Sequence, residues 1–305
     1  MKETALLLGQ MSPLVAVVTE PAQRCPRDLP AVILLNAGII HRVGPNRLYV
    51  SLARLLASLG FVVLRFDLSG VGDSPVREDH LPFRKSAILE TQEAMQHITT
   101  TEGIEQFVLM GICSGASLSY KLACRDPRVV AAVLINPWGH FHDTADSELN
   151  AHLRGRAMAR HYWRILLFSS FRAKNWRKAL TGVVDYHSIL PVMLGSQLRE
   201  LFTSSHNTWD PIEDIEADLQ RLAKRHVRLL HVYSEGDEGL DYFRMMTGAR
   251  LHDWKARGLL DVRVIRGANH TFTLLWSQDE LLQTIRSWAQ TLVQEQSSHE
   301  SEPAG

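Results

Sequence analysis

Short runs of consecutive apolar residues alternate with amphipathic stretches along most of this chain. A strand that is apolar on both faces must be covered on both faces, so such runs indicate a parallel sheet with helices on each side. Connections between parallel strands are right-handed crossovers, which produces a doubly wound sheet. The apolar runs that we predict as its strands are residues 31–35, 61–66, 107–110, 129–135, 227–233 and 261–265.

The alternation is interrupted once, between residues 139 and 226, where helix-like segments occur without a convincing strand. A β-hairpin is predicted at the start, at residues 5–9 and 14–19, and brings the number of strands to eight. The predicted fold is therefore α/β, a doubly wound, mostly parallel eight-stranded sheet with a helical lid insertion. The predicted divisions are a core of residues 1–138 and 227–295, a helical cap of residues 139–226, and a polar, disordered tail of residues 296–305.

The charge balance and the cysteine content exclude several classes of protein. Lysine plus arginine equals aspartate plus glutamate, 33 each, so no overall field favours nucleic acid. An odd number of cysteines, Cys25, Cys113 and Cys124, argues against a disulfide framework and favours a reducing, cytoplasmic compartment. No apolar run is long enough for a membrane span, and the N-terminus lacks the pattern of a secretory signal.

The sharpest motif is Gly-Ile-Cys-Ser-Gly-Ala at residues 111–116, between a predicted strand and a helix of small residues. A nucleophile on a tight strand-to-helix turn needs very small neighbours two positions away on each side. Gly111 and Gly115 satisfy this need for Cys113, whereas Ile112 would violate it for Ser114. The helix N-terminus also favours a thiolate over a thiol. The alternative is a buried core cysteine, which the strand, turn and helix together disfavour.

This motif resembles the nucleophile elbow of the α/β-hydrolase superfamily, with cysteine where serine is commoner. Asn36-Ala37-Gly38, after the strand at residues 31–35, resembles the His-Gly-x loop of that superfamily. The resemblance implies an oxyanion hole formed by the backbone N–H groups of Gly38 and Ser114. Because Asn36 replaces the usual histidine, the loop donor is either Gly38 or Ile39. The alternative is a plain glycine turn at the end of a strand.

A second loop supports the same resemblance. Residues 67–74 match the superfamily's D-x-x-G-x-G-x-S loop, which is a structural marker and not a catalytic element. The loop is also a partial match to the G-x-G-x-x-G motif of dinucleotide-binding proteins. We reject that interpretation because Pro75 occupies the third glycine position and no helix begins there.

The superfamily orders its triad as nucleophile, acid and base along the chain. Asp237 follows the strand at residues 227–233 and is the predicted acid, with Asp241 and Glu235 as alternatives that otherwise are surface charges. His270 follows the last strand in a segment that resembles the family's G-x-x-H turn, and it is the predicted base. The resemblance therefore implies a triad of Cys113, His270 and Asp237.

Residues near the predicted site are candidates for substrate binding. Arg42 or Arg47 could bind a carboxylate or phosphate, although Arg47 could equally begin the next helix. His140 and His142 form a weak metal pattern, since further ligands are missing, and pocket lining is the better interpretation. We predict no metal and no cofactor. The candidate substrate-binding residues are Ile39, His41, Arg42, Trp138 and His140.

The predicted lid is locally basic. Between Glu148 and Asp185 there is no acidic residue, and eight lysines and arginines are interleaved with aromatic and aliphatic residues. Such a surface attracts anionic partners, such as coenzyme A, an acidic carrier protein or a lipid surface. The alternative is a lid helix with an apolar face inward and a solvated charged face outward.

The cysteine bears on the reaction that we expect. Attack of a thiol on a thioester exchanges one thioester for another at little cost, whereas attack on an ester or amide is uphill. The expected function is hydrolysis of an ester or thioester of a small-molecule acyl substrate through an acyl-cysteine. The alternatives are acyl transfer to an alcohol, amine or thiol, and a non-catalytic binding protein on a hydrolase scaffold.

Overall fold

A computed structural model describes residues 1–9, 12–23, 29–137, 211–247 and 250–299. Within these residues the chain forms eight strands that belong to one sheet. The strands are β1 (Lys2–Leu8), β2 (Leu14–Glu20), β3 (Ala31–Leu35), β4 (Val63–Phe66), β5 (Phe107–Ile112), β6 (Val129–Ile135), β7 (Arg228–Ser234) and β8 (Leu260–Ile265).

The strand order is β1-β2-β4-β3-β5-β6-β7-β8. The first hairpin is antiparallel, and β2 also pairs antiparallel with β4. All further pairs, from β4–β3 to β7–β8, are parallel. The central strands β3 and β5 are buried along their whole length, as expected for a sheet covered on both faces.

Helices cover both faces of the sheet and give two apolar clusters. The helices of the described residues are α1 (Leu48–Ser58), α2 (Phe83–Glu102), α3 (Ser114–Arg125), α4 (Pro211–Lys224), α5 (Glu238–Thr247), α6 (Arg250–Ala256) and α7 (Leu275–His299), with a 3₁₀ turn at Pro45–Arg47. One cluster joins the sheet to α2, α3, α4 and α5, and the other joins it to α1 and α7. The fold prediction is thereby confirmed.

Several predicted boundaries differ from the structure by a few residues. The strand predicted from residue 61 begins at Val63, because the Phe61 N–H still donates to the Leu56 carbonyl at the end of α1. The amphipathic pattern of residues 241–257 predicts one helix, whereas the structure has α5 and α6, and Gly248, a poor helix former, lies between them in the sequence. The pattern of the last helix predicts an end at residue 294, whereas the helix extends to His299, since polar residues such as glutamine and glutamate are good helix formers.

Most of the predicted cap lies outside the described residues. Its described part contains α4, which agrees with the predicted helical character of residues 139–226. None of the helices in the described part of the chain is long and apolar enough to cross a membrane.

The carboxyl ends of the parallel strands meet along one edge of the sheet. The predicted oxyanion loop follows β3, the predicted nucleophile follows β5, the predicted acid follows β7 and the predicted base follows β8. In doubly wound sheets this edge is where ligands bind. The topology therefore brings the predicted site residues to one edge.

Candidate active site

Cys113 occupies a strained turn between β5 and α3. Its backbone angles are φ 56° and ψ −115°, outside the regions that a residue with a side chain prefers. The Cys113 N–H donates to the Ile135 carbonyl of β6 at 2.9 Å, and its carbonyl accepts the Ser117 N–H at 3.1 Å. These two hydrogen bonds hold the turn on both sides, and they present Cys113 at the N-terminus of α3.

Both glycines of the motif are required by close backbone packing. A Cβ atom on Gly111 would lie 2.3 Å from the carbonyl carbon of Gly115. A Cβ atom on Gly115 would lie 2.5 Å from the carbonyl oxygen of Leu35, at the end of β3. The first glycine lets the turn close, and the second lets α3 approach the loop that follows β3.

His270 connects Cys113 to Asp237. The His270 Nδ1 atom lies 2.6 Å from Asp237 Oδ2, and the imidazole also forms a hydrogen bond with the Cys113 side chain. The Asp237 carboxylate is almost fully buried, and its Oδ1 accepts the Gly239 N–H at 2.9 Å. Because Nδ1 lies against this carboxylate, Nδ1 carries the proton of the neutral imidazole, and the second ring nitrogen is left for Cys113.

The same two neighbours control the protonation of His270. The hydrogen bond to Asp237, and then the hydrogen bond to Cys113, raise the pKa of His270 from 6.5 to about 10, against the opposing effect of burial. Both partners favour the imidazolium because each bears or can bear a negative charge. The site is therefore suited to an imidazolium beside a sulfur nucleophile.

The two alternative acids have other surroundings. Glu235 is exposed and accepts the Gly267 N–H at 3.0 Å, in the loop that leads to His270. Asp241 lies in the first turn of α5. The hydrogen bond of the imidazole to a carboxylate is the one with Asp237. This geometry favours Asp237 over the two alternatives as the acid.

Asn136 is a buried site residue that the motifs do not predict. It follows β6 with a positive φ of 43°, and its amide donates to the His270 carbonyl at 2.7 Å and to Ser234 Oγ at 3.1 Å. Its side-chain oxygen accepts the Ser234 N–H at 2.7 Å. One side chain thus ties the base loop to the end of the strand that leads to the acid. The sequence signal that could have found Asn136 is a polar residue directly after an apolar strand of the parallel sheet.

The predicted oxyanion loop contacts the start of α3 directly. The Gly38 N–H donates to the Ser114 hydroxyl oxygen at 2.7 Å, and Gly38 has a positive φ of 60°. Ile39, the alternative donor, has a side chain that is 89% exposed. The hydrogen bond with Ser114 places the Gly38 N–H beside the elbow, which favours Gly38 over Ile39 as the loop donor.

Asn36, the departure from the family pattern, joins this loop to the loop after β4. Its amide donates to the Ile40 carbonyl at 2.9 Å and to Asp67 Oδ1 at 3.2 Å, and its oxygen accepts the Leu68 N–H at 2.9 Å. Both Asn36 and Asp67 are buried. Asn36 therefore has a scaffold role in the two loops.

Arg42 is held by carboxylates of the protein. Its Nη1 lies 2.5 Å from Asp67 Oδ2 and 2.8 Å from Asp73 Oδ2, and its backbone N–H donates to Asp67 Oδ1 at 2.6 Å. The buried charge of Asp67 is thereby compensated. This arrangement favours a structural role for Arg42 over the predicted contact with a substrate anion. Arg47, the alternative, belongs to the 3₁₀ turn and directly precedes α1.

His41, Asp67 and Asp73 have ligand atoms within 4.8 Å of one another, a spacing that a metal ion could use. However, Arg42 Nη1 lies 2.8 Å from His41 Nε2 and bonds both carboxylates. The guanidinium already occupies the centre of this group. The His41 ring also bonds the Val43 N–H and Asp73, so its described contacts are within these loops.

Tyr49 is a second buried residue that the motifs do not predict. Its hydroxyl donates to the Leu35 carbonyl at 2.8 Å and accepts the Ile112 N–H at 3.0 Å. It thereby connects the residue before the oxyanion loop with the residue before the nucleophile. Burial raises the pKa of Tyr49 well above its ordinary value, so the phenol stays protonated. No sequence pattern distinguishes this tyrosine from an ordinary core residue of α1.

Two of the cavities in the described part of the chain differ in their relation to the predicted site. One of about 410 Å³ lies beside the catalytic histidine candidate and is lined by residues that include Glu235, Asp237, Glu238 and His270. The other, about 450 Å³, lies between the starts of β7 and β8 and helix α7, with Arg228 and Trp288 in its lining. The second contains none of the predicted site residues.

Several predicted features lie outside the described residues. These are the third cysteine, two candidate substrate-binding residues, the weak histidine pair and the basic segment, namely Cys25, Trp138, His140, His142 and residues 149–184. Their predicted roles stay predictions.

The chain is similar to known proteins in sequence pattern and in fold. An alpha-beta serine hydrolase homologue from Coxiella burnetii is 13% identical, with a TM-score of 0.54 and coverage of 94% of this chain and 96% of that chain. A Pyrococcus furiosus esterase is 11% identical, with a TM-score of 0.56 and coverage of 95% and 90%. The proline iminopeptidase of Mycobacterium smegmatis is 18% identical, with a TM-score of 0.55 and coverage of 97% and 100%.

Identities this low establish the likeness of fold and nothing finer. No curated protein matches the chain by sequence. The sequence model of the alpha/beta hydrolase family, however, matches residues 32–295, which is most of the chain and spans the loops described above. The chain belongs to the alpha/beta hydrolase family.

Proposed function

We propose that this protein is a hydrolase that cleaves an ester or thioester through an acyl-cysteine intermediate on Cys113. The observation that carries the proposal is the imidazole of His270, which bonds both the Cys113 side chain and the buried carboxylate of Asp237. This is the arrangement that activates a nucleophile and orients its base. The strained turn that presents Cys113 supports the same assignment.

The reaction proceeds in two halves. The Cys113 sulfur attacks the acyl carbonyl carbon, and the electron pair of the C=O bond moves to oxygen, where the N–H group of Ser114 and the loop at Gly38 stabilise it. When the tetrahedral intermediate collapses, the bond to the leaving alcohol or thiol breaks and the leaving group takes a proton from His270. Water then attacks the thioester while His270 accepts its proton, and the acid is released from the regenerated cysteine.

The cysteine favours thioesters or activated esters as substrates, because thiol exchange on a thioester changes the bond energy little. We also keep the prediction that coenzyme A or an acidic carrier protein delivers the acyl group. Either would bind at the basic residues between Glu148 and Asp185. A soluble small-molecule acyl substrate is sufficient for the chemistry proposed.

The test is intact-protein mass spectrometry after incubation with a panel of acyl thioesters and activated esters. We compare the wild type with Cys113→Ala and with the matched control Cys124→Ala, which removes the thiol at the other end of α3. An acyl adduct is expected on the wild type and on Cys124→Ala and not on Cys113→Ala. The adduct is expected to decay in water alone.

Two other outcomes contradict the proposal. An adduct that persists until an amine, alcohol or thiol is added indicates an acyltransferase. No adduct with any donor, together with slow alkylation of Cys113, indicates a binding protein on a hydrolase scaffold.

A further inference from the structure

The hydroxyl group of Ser114 lies between the two backbone donors of the proposed oxyanion hole. Its oxygen accepts the Gly38 N–H at 2.7 Å, so this donor points at a side chain of the protein and not at open space. Ser114 and Gly38 are both exposed. The distance lies at the short end of the normal range for an N–H···O bond.

The fold enforces this position for the hydroxyl. Gly115 packs so closely on the carbonyl oxygen of Leu35 that a Cβ atom would lie 2.5 Å away. This contact brings the first residue of α3 against the loop after β3. Backbone packing of its neighbours therefore brings Ser114 beside Gly38, and the hydrogen bond with the Gly38 N–H orients the hydroxyl.

The hydroxyl retains an unused donor. A serine oxygen can accept two hydrogen bonds and donate one. Here it accepts the N–H of Gly38, and its own proton has no acceptor within the described part of the chain. The backbone N–H of Ser114 belongs to the first turn of α3, where no carbonyl of the helix can accept it. Two donors on one residue are thus available beside Cys113.

We propose that the Ser114 hydroxyl is a donor of the oxyanion hole, held by the Gly38 N–H, and is therefore a catalytic residue. This inference rests on the proposed function. A hydroxyl that accepts a hydrogen bond becomes a better donor, since chains of hydrogen bonds polarise one another. The Gly38 N–H then acts through the hydroxyl, and the Ser114 N–H acts directly.

The Ser114 hydroxyl stabilises the negative charge that forms on the carbonyl oxygen when Cys113 attacks. As the Cys113 sulfur attacks the carbonyl carbon, the oxygen gains the electron pair and accepts hydrogen bonds from the Ser114 O–H and N–H. No proton leaves Ser114. When the intermediate collapses the electron pair returns to the C=O bond, and the hydroxyl keeps its proton and its bond to Gly38.

The test uses three variants of the full-length protein. Ser114→Ala removes the hydroxyl, and Ser114→Thr keeps it. Ser119→Ala is the matched control, because the Ser119 hydroxyl donates to the Gly115 carbonyl inside the same helix at 2.8 Å and is buried. The saturating rate of acylation by p-nitrophenyl acetate is measured from the burst of p-nitrophenolate, together with the half-saturating concentration.

Loss of one oxyanion-hole donor lowers the rate by about 10²–10³-fold. We expect a smaller loss for Ser114→Ala, about tenfold to a hundredfold, because the Gly38 N–H is then free to contact the oxyanion directly. The half-saturating concentration stays the same, since the bond forms in the transition state. Ser114→Thr and Ser119→Ala retain most of the wild-type rate.

A second readout follows the oxyanion itself. A trifluoromethyl ketone adds to Cys113 to form a tetrahedral adduct, and ¹⁹F NMR follows the ionisation of its hydroxyl with pH. If Ser114 donates to the oxyanion, Ser114→Ala shifts this ionisation to higher pH and Ser114→Thr restores it. A serine that only supports the loop would leave the titration of the adduct unchanged.

The outcomes separate this inference from the proposed function. If the wild type forms neither an acyl-enzyme nor the ketone adduct, the proposed function fails and the role of Ser114 fails with it. If the wild type forms both and Ser114→Ala matches it, only the role of Ser114 is overturned. Faster acylation of Ser114→Ala overturns it as well, because the hydroxyl would then obstruct the Gly38 N–H.

Discussion

The two ends of helix α3 give a thiol different surroundings. Cys113 lies at the N-terminal end, on a strained turn and in a hydrogen bond with His270. Cys124 lies at the C-terminal end, where burial, and the nearby charge of Asp218, raise its pKa to about 12. One helix therefore carries a thiol in a reactive setting and a thiol kept in its inert form.

The two ends of α3 also differ in whether side chains of the protein bond their backbone groups. At the C-terminal end, the guanidinium of Arg225 donates to the carbonyls of Ala123, Asp126 and Val129 at 2.7–3.0 Å. At the N-terminal end, Ser114 begins the helix, and no side chain caps its N–H groups. Helix α3 is therefore closed by the protein at its C-terminal end and left available to a ligand at its N-terminal end.

The largest effect is expected from Asp237→Asn. This change keeps the size of the side chain but removes the charge that holds the imidazole tautomer. We expect turnover to fall by about 10⁴-fold, the size of the effect in a serine-histidine-aspartate triad. Steady-state turnover of a thioester substrate measures it, with Asp241→Asn as the control for the alternative acid. Nearly normal turnover of Asp237→Asn would show that the end of α3 activates Cys113 without the acid.

The next effect is the difference in alkylation between the two thiols. A pKa of about 12 leaves Cys124 with about 10³-fold less thiolate at neutral pH than an ordinary cysteine. We expect iodoacetamide to modify Cys113 first and Cys124 only after unfolding. Peptide mapping reports each cysteine separately, and Cys113→Ala and Cys124→Ala identify the peptides. Equal alkylation rates of Cys113 and Cys124 in the folded protein would show that the two ends of α3 do not differ in thiol reactivity.

Protonation of His270, beside the N-terminal end of α3, contributes to the stability of the folded state. The raised pKa, about 10 against 6.5 in an unfolded chain, means that the folded state binds this proton more tightly. The resulting stabilisation is fully present below about pH 6.5 and is lost as the pH rises through about 10. Urea unfolding at about pH 6, 8 and 10 should show that the stability difference between wild type and His270→Gln shrinks with rising pH.

The control for this titration is His252→Gln, the same substitution at an exposed position of α6. Its stability difference from the wild type should change less over the same range of pH. If the stability difference between wild type and His270→Gln grew as the pH rose, the sign of the pKa shift of His270 would be wrong. The hydrogen bonds of His270 with Asp237 and Cys113 would then not stabilise the imidazolium.

The elements that position the site follow from local patterns in the sequence, which is why they were predicted well. Continuous apolar runs and the small residues around Cys113 are local features of the sequence, so the strands of the sheet and the elbow could be inferred from them. The order of nucleophile, acid and base then indicated Asp237 and His270. Their mutual hydrogen bond, at 2.6 Å, depends only on strand ends meeting at one edge of the sheet.

The residues that were not predicted act across large separations in the chain. The Tyr49 hydroxyl contacts Leu35 and Ile112, and its partners are set by how α1 packs on the sheet. Arg42 was predicted near the pocket mouth, but the sequence does not reveal that Asp67, on another strand end, binds its guanidinium. Such pairings are properties of tertiary packing, and no pattern of neighbouring residues encodes them.

A smaller effect is expected from loosening the N-terminal end of α3 at Tyr49. Tyr49→Phe leaves the Leu35 carbonyl and the Ile112 N–H unpaired in the core, which lowers the free energy of unfolding by about 1–3 kcal/mol. Because these groups precede the oxyanion loop and the nucleophile, we also expect acylation to slow by about tenfold. Urea unfolding and the acylation burst measure the two effects.

The smallest effect on activity is expected at the other end of the helix, from Arg225→Met. This change removes the donor to three carbonyls while keeping an apolar stem, and it should lower the free energy of unfolding by about 1–3 kcal/mol, as Tyr49→Phe does. The acylation rate should stay near that of the wild type, because these hydrogen bonds of Arg225 lie at the C-terminal end of α3 and at the start of β6, away from Cys113. If Arg225→Met slowed acylation as much as Tyr49→Phe, stability of the helix as a whole, and not the geometry of its N-terminal end, would control the nucleophile.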